Sequence, residues 1–287
     1  MQKLLLSEIE NAKKKLEGKI VKTPILPLEG SKIKSSLPFE SKTFIKLELY
    51  QHTGSFKARG NLLAVDKLTD EQKIRGVVAV SAGNHALAVS WAAKQVGAHA
   101  KLFMPKTADP FRVEGCRNLG AEVILLSDVK LCFEKLLESS EKEKRTILHP
   151  FDSKNMALGS ATLGLEISDS INDLDIAILP VGGGGLIAGA ATALKLKNPK
   201  LKIFGIEPLG ADSMKRSFEE GRPVNLDKVN TIADSLGAPM AMKYSYELTR
   251  KSVDKIFTVS DEDLKNAMRL IQTYLNLWAE PACAASM

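Results

Sequence analysis

Three short stretches of this chain carry residue types that folding alone does not require. They are Thr53-Gly54-Ser55-Phe56-Lys57-Ala58-Arg59, Ser81-Ala82-Gly83-Asn84-His85 and Gly182-Gly183-Gly184-Gly185-Leu186. The first follows the alternating run Phe44-Ile45-Lys46-Leu47-Glu48-Leu49 and puts Lys57 in the first turn of a predicted helix, with Ser55 as its N-cap hydroxyl. An amine there feels the positive end of the helix dipole, which favours its neutral form. A neutral amine can attack a carbonyl or form a Schiff base. A lysine taken by itself is usually one more solvated lysine, so Lys57 gains meaning from its company.

The glycine run follows the apolar strand pattern Leu174–Val181 and precedes a helical pattern beginning at Leu186. Backbone N–H groups at such a helix start form a nest for an anion, usually phosphate. Runs of glycine also make plain tight turns, but four in a row cost much backbone entropy. The Gly-Lys-Ser/Thr ending of a nucleotide P-loop is absent, which argues against triphosphate hydrolysis. Ser81 to His85 sit between Val77–Val80 and an alanine-rich helix, with N–H groups facing a carboxylate or phosphate. There Asn84 adds a neutral donor and acceptor, and His85 a possible titrating group. Alone, this turn is as often structural as functional.

These loops are positioned by a regular alternation. Strand patterns over 77–81, 99–104, 122–127 and 146–149 alternate with helical patterns over 84–96, 111–119 and 128–140. A second series runs through helix 155–170, strand 175–181, helix 186–196, strand 202–207 and helices near 211–220 and 261–275. Such alternation means βαβ units on parallel sheets, and ligands bind in the clefts between such lobes. A first helix is expected to carry a capping box made by Ser7 and Glu10, with the basic run Lys13-Lys14-Lys15 on its surface.

Composition narrows the function classes. The 287 residues hold 44% hydrophobic and 26% charged residues, ordinary values for a globular chain. The net charge of +6 is scattered and lacks aromatic interleaving, so no nucleic-acid partner is expected. No apolar stretch reaches membrane-spanning length, and a cytoplasmic location is expected. Cys116, Cys132 and Cys283 are too few and too far apart for a disulfide frame or zinc site. One rival cofactor fits a pattern: Gly183, Gly185 and Ala188 match a dinucleotide fingerprint, with Glu207 22 residues beyond Gly185 as the ribose acid. An NAD-dependent dehydrogenase is therefore a remote alternative, although it explains neither Lys57 nor Asn84.

The three stretches in this order resemble the fold-type II pyridoxal-phosphate enzymes, and among them the serine/threonine dehydratases, a group that includes serine racemase. His149-Pro150-Phe151-Asp152, Gly164-Leu165-Glu166-Ile167, Gly205-Ile206-Glu207-Pro208 and Glu280-Pro281-Ala282 extend the likeness over nearly the whole chain. It implies an α/β fold of two open, mainly parallel lobes of the tryptophan synthase β-like type. Residues 1–75 and 147–287 would form a large discontinuous cofactor-binding domain, and 76–146 a small one. By the same resemblance Lys57 is the covalent anchor and catalytic residue. Gly182, Gly183, Gly184, Gly185 and Leu186 hold the phosphate, Asn84 bonds the cofactor's 3′-oxygen, and Phe56 packs beside the ring. Ser81, Ala82, Gly83, Asn84 and His85 grip the substrate carboxylate.

Those likenesses imply a lyase that converts L-threonine or L-serine to a 2-oxo acid and ammonia, acting as a homodimer on a small-molecule substrate. Ala82 stands where the racemases of the group carry a serine, which favours elimination over racemisation, and serine racemase is kept as an alternative. Glu207 and Ala211 match two positions of the relatives' divalent-metal site, whereas Ser213 replaces an aspartate, so no metal is claimed. Gly159-Ser160-Ala161-Thr162 replaces the usual Gly-Gln-Gly-Thr with no derivable consequence. Relatives continue beyond the position of Met287 through a strand that meets the pyridine nitrogen. A fold lacking that final strand, and with it a truncated cofactor-binding pseudoenzyme, is the other expectation.

Overall fold

The computed structural model describes residues 3–30, 33, 35 and 41–287. Its strands are β1 (Ile25–Pro27), β2 (Phe44–Lys46), β3 (Val77–Val80), β4 (Ala100–Pro105), β5 (Glu122–Leu126), β6 (Thr146–Ile147), β7 (Ile176–Pro180), β8 (Lys202–Pro208) and β9 (Lys255–Val259). Its described α-helices are α1 (Leu6–Leu16), α2 (Lys57–Val65), α3 (Asp70–Arg75), α4 (Asn84–Gln95), α5 (Pro110–Asn118), α6 (Val129–Glu143), α7 (Lys154–Ser170), α8 (Gly185–Lys197), α9 (Ser213–Glu220), α10 (Lys243–Ser252), α11 (Asp261–Leu275) and α12 (Pro281–Ala284).

Two parallel sheets result, one in the order β5-β4-β3-β6 and one in the order β7-β8-β9, beside an antiparallel β1–β2 pair. Val77, Val78 and Ala79 of β3 are fully buried. A continuous apolar strand of this kind belongs in a parallel sheet covered on both faces. Two of the candidate loops, and the turn at His149, leave the C-terminal ends of parallel strands: Ser81 follows β3, His149 follows β6, and Gly182 follows β7. That end of an α/β sheet is where ligands bind.

Three helices set the candidate lysine and the glycine loop side by side. Where α2 crosses α7, a Cβ on Gly60 would lie 2.7 Å from Met156 Sδ, and one on Gly159 would overlap the Gly60 backbone. Where α7 meets α8, a Cβ on Gly164 would lie 2.5 Å from Ala190 O, and one on Gly189 would overlap Ala157 O. Backbones this close leave no room for side chains, so the glycines fix both crossings.

Beneath the α2–α7 crossing lies an ion-pair network. Arg59, with no exposed surface, donates Nε and Nη2 to the Glu48 carboxylate, each at 2.8 Å. Its Nη1 and Nη2 donate to Glu166 at 2.6 and 3.0 Å, and Lys46 Nζ meets the same Glu166 at 2.6 Å. Thr162 Oγ1 accepts from Arg59 Nη1 at 3.2 Å. Two cations and two carboxylates balance.

Several expected details differ. Helix α1 is capped by Glu8, whose Oε2 accepts from Leu5 N at 3.0 Å, and not by a box of Ser7 and Glu10; the chain turns two residues earlier than the Ser7 cap requires. The alternating run from Phe44 to Leu49 is strand only as far as Lys46, because two 3-10 turns (Glu48–Tyr50 and His52–Gly54) take over. Strand β9 and helix α10 were not expected, since α10 (Lys-Tyr-Ser-Tyr-Glu-Leu-Thr-Arg-Lys-Ser) is mostly polar. The three cysteines are free.

Burial alone would raise the Glu166 carboxyl, but hydrogen bonds and charges from Arg59 and Lys46 outweigh it and hold it below the usual 4.5. Its stabilisation is therefore present above pH 4.5 and lost as pH falls through its lowered folded value. Glu166→Ala leaves two cations without this partner and should destabilise the chain by about 3–5 kcal/mol at pH 7, measured by urea unfolding. A loss below about 1 kcal/mol would mean the network is solvated.

Candidate functional site

Lys57 opens α2, and its Nζ donates to the Pro150 carbonyl. Burial of the amine lowers its pKa to about 8. The cause is desolvation: a charge loses water here. The helix is not capped as expected. Phe56 is the N-cap and makes no side-chain cap bond. Ser55 is extended and buried, and its Oγ has no partner among the described residues. The Phe56 ring centroid lies 5.1 Å from Lys57 Nζ.

The acceptor Pro150 O is presented by a built turn. His149 Nδ1 accepts from Asp152 N at 2.8 Å, and Asp152 Oδ1 accepts from Ser245 N at 2.7 Å. Phe151, the next residue, is the floor of the glycine loop. A Cβ on Gly183 would overlap its ring, and one on Gly185 would lie 2.9 Å from its Cα. One dipeptide thus touches both the lysine and the glycines.

Gly184 takes a left-handed φ of +88° and is the N-cap of α8. Among the described residues, no acceptor in the chain takes the N–H of Gly183, Gly184, Gly185 or Leu186. These unpaired donors at the positive end of a 13-residue helix suit an anion. The expected replacement without consequence acquires one: Ser160 Oγ donates to Gly185 O at 2.7 Å and braces the loop from α7. Nothing in Gly-Ser-Ala-Thr signals that bond, because the partner lies 25 residues away.

The Ser81–His85 loop joins the lysine through Asn61. Asn61 Nδ2 donates to Lys57 O at 2.9 Å and to His85 Nδ1 at 3.2 Å. His85 Nε2 then donates to Leu148 O at 2.9 Å. Burial, reinforced by the Lys57 charge, pushes the His85 pKa down to about 3. The expectation of a titrating group is overturned: His85 is a sealed, neutral imidazole, and both its ring nitrogens are used. Ser81 Oγ accepts from Gly83 N at 3.1 Å, which leaves its O–H free to donate. Ala82 is half-buried against the core and offers no proton-carrying atom. Asn84 Nδ2 donates to Glu280 Oε1 at 2.7 Å and to Ser235 Oγ at 3.2 Å.

Glu207 is engaged by the backbone of the helix that follows it. Its Oε1 accepts from Met214 N at 2.9 Å and its Oε2 from Lys215 N at 2.7 Å, so it staples the start of α9. Burial pushes its pKa up to about 8 despite those two bonds. Both oxygens are spent on backbone, which removes the ribose acid of the dinucleotide alternative. Ala211 is buried nearby, and among the described residues no cluster of three metal-ligating side chains forms.

A family profile described as pyridoxal-phosphate dependent enzyme matches residues 16–287. Phenylserine dehydratase of Ralstonia pickettii is 49% identical over 244 residues, 84% of this chain and 74% of that one. A catabolic L-threonine dehydratase of Staphylococcus aureus is 38% identical over 284 residues, 97% of this chain and 80% of that one. Among solved structures, serine racemase of maize superposes with a TM-score of 0.92 at 32% identity, covering 98% of this chain and 85% of that one.

The contact between Gly183 and Phe151 is testable without any ligand. Gly183→Ala forces the Phe151 ring to move and should cost about 1–3 kcal/mol in urea unfolding. An unchanged midpoint would show that the loop does not rest on that ring.

Proposed function

The chain belongs to the family of pyridoxal-phosphate dependent enzymes, and from that premise we propose that it is an ammonia-lyase acting on a 3-hydroxy-2-amino acid. L-Threonine and L-serine are the substrates of first choice, and phenylserine falls in the same class through the dehydratase of Ralstonia pickettii. The products are a 2-oxo acid and ammonia.

The residues fit the cofactor. The unpaired N–H groups of Gly183 to Leu186 suit its phosphate, and Lys57 presents a buried amine. The ring would lie by Phe56, with the unpartnered Ser55 Oγ as a polar neighbour, while Asn84, whose Nδ2 is held by Glu280 and Ser235, keeps its Oδ1 for the cofactor's 3′-oxygen. When bound, pyridoxal phosphate supplies an aldehyde for the amino group and a ring that draws electrons from Cα.

One observation carries the reading: the Lys57 amine, held by Pro150 O and lowered to about 8 by burial. A neutral Nζ can attach to an aldehyde and can take the Cα proton, and Pro150 O then accepts a hydrogen bond from the ammonium formed. Ser81 O–H and the N–H groups opening α4 face the substrate carboxylate. The Ala82 methyl cannot return a proton to the opposite face, which favours loss of the hydroxyl over racemisation.

The separate sheets support a division into residues 1–75 with 147–287 and residues 76–146, the cut falling inside β6. No described helix is long and apolar enough to cross a membrane; a cytoplasmic enzyme and a homodimer are read from the sequence and the resemblance alone.

Borohydride treatment of the cofactor-loaded protein should fix the adduct on Lys57, located by peptide mass mapping, and Lys57→Ala should lose both adduct and turnover. Because the amine loses its proton near pH 8, the rate of cofactor attachment should rise with pH through that value and level above it. An adduct on another side chain would sink the proposal, as would turnover retained by the variant.

A further inference from the structure

Arg112 is used by neither the three motifs nor the proposed chemistry, yet it reaches into both. It lies on α5, in the unit of the four-stranded sheet, and its guanidinium leaves that unit. Nη1 donates to Asp234 Oδ2 at 3.1 Å and Nη2 to Glu280 Oε2 at 3.0 Å. Those two carboxylates follow β8 and β9 in the chain and so belong with the three-stranded sheet. Between the two units, the guanidinium rests on the Ser81–His85 loop: a Cβ on Gly83 would lie 2.6 Å from Arg112 Nη1.

Glu280 passes this contact on. Its Oε2 also accepts from Ser235 Oγ at 3.1 Å, and its Oε1 accepts from Asn84 Nδ2 at 2.7 Å. The two arms of the bridge are unequal. Asp234 is 74% exposed, so that pair is screened and weak. Glu280 is 27% exposed and Arg112 only 21%, so their charged hydrogen bond is the stronger one. Without Arg112, a partly buried carboxylate would be left with neutral donors alone.

We propose that Arg112 is a positioning residue for the amino-acid substrate. By holding Glu280 it sets the Asn84 amide, and by bridging α5 to Asp234 and Glu280 it closes the cleft over the Ser81–His85 loop. The inference rests on the proposed lyase reading and deepens it: closure governs how well the substrate carboxylate is held, whereas the proton step stays with Lys57.

The test compares cofactor-loaded wild-type protein with Arg112→Met, Arg112→Lys and Asp234→Asn. For L-threonine and L-serine, Arg112→Met should raise KM about tenfold to a hundredfold while kcat stays within about threefold. Arg112→Lys should recover part of that loss, and Asp234→Asn should shift KM by about threefold or less. Amide hydrogen exchange, read on the protein without substrate, should quicken in Arg112→Met at residues 81–85 and 231–236. Unchanged KM and unchanged exchange would overturn the proposal, as would a fall in kcat at constant KM. If Arg112→Met does not fold, Glu280→Gln serves in its place, with the same KM and exchange changes expected and the same outcomes overturning the idea. Absence of a Lys57 adduct in the wild type would instead overturn the parent reaction, and the exchange comparison would still decide the bridge.

Discussion

A guanidinium with no exposed surface must find its charge partners inside the fold, and Arg59 finds two carboxylates that come from far apart in the chain. Glu48 arrives on the 3-10 turn after β2, and Glu166 arrives on α7. Leaving any one of these charges unpaired costs several kcal/mol. All can be satisfied only if α2 stands at one height and one rotation against α7. Lys57 is two residues away on the same helix, so the requirement that balances Arg59 also fixes the amine.

The glycine contacts complete the same constraint. Gly60 and Gly159 bring α2 onto α7, and Gly164 and Gly189 bring α7 onto α8. Helix α7 is therefore the common wall: it receives the lysine helix on one side and the glycine-loop helix on the other, and Ser160 ties it to Gly185. Pro150 and Phe151 close the gap at the mouth, one touching the lysine and the other the glycines.

Burial then sets the electrostatics. It lowers the Lys57 amine to about 8 and the His85 imidazole to about 3. The site thereby favours neutral side chains and leaves positive potential to the unpaired N–H groups at the starts of α4 and α8. That division suits a cofactor with an anionic phosphate and a substrate with a carboxylate, since fixed dipoles attract anions without a charge on the buried amine. Glu207 shows burial acting in the other direction, raising a carboxyl whose two oxygens are spent on the α9 backbone.

Local sequence determined the parallel α/β alternation, the loops after β3 and β7, the lysine opening a helix and the glycine turn at a helix start. Those are statements about neighbours within a few residues, where strand and helix periodicity and glycine geometry act. Tertiary structure alone decided why the amine is easily neutralised, that His85 is inert, that Ser160 braces the loop, and that Glu207 is a helix staple. It also decided that Arg112 meets Asp234, 122 residues distant. Each of these depends on desolvation or on a partner supplied by a remote segment, and neither is encoded in the residue's own neighbourhood.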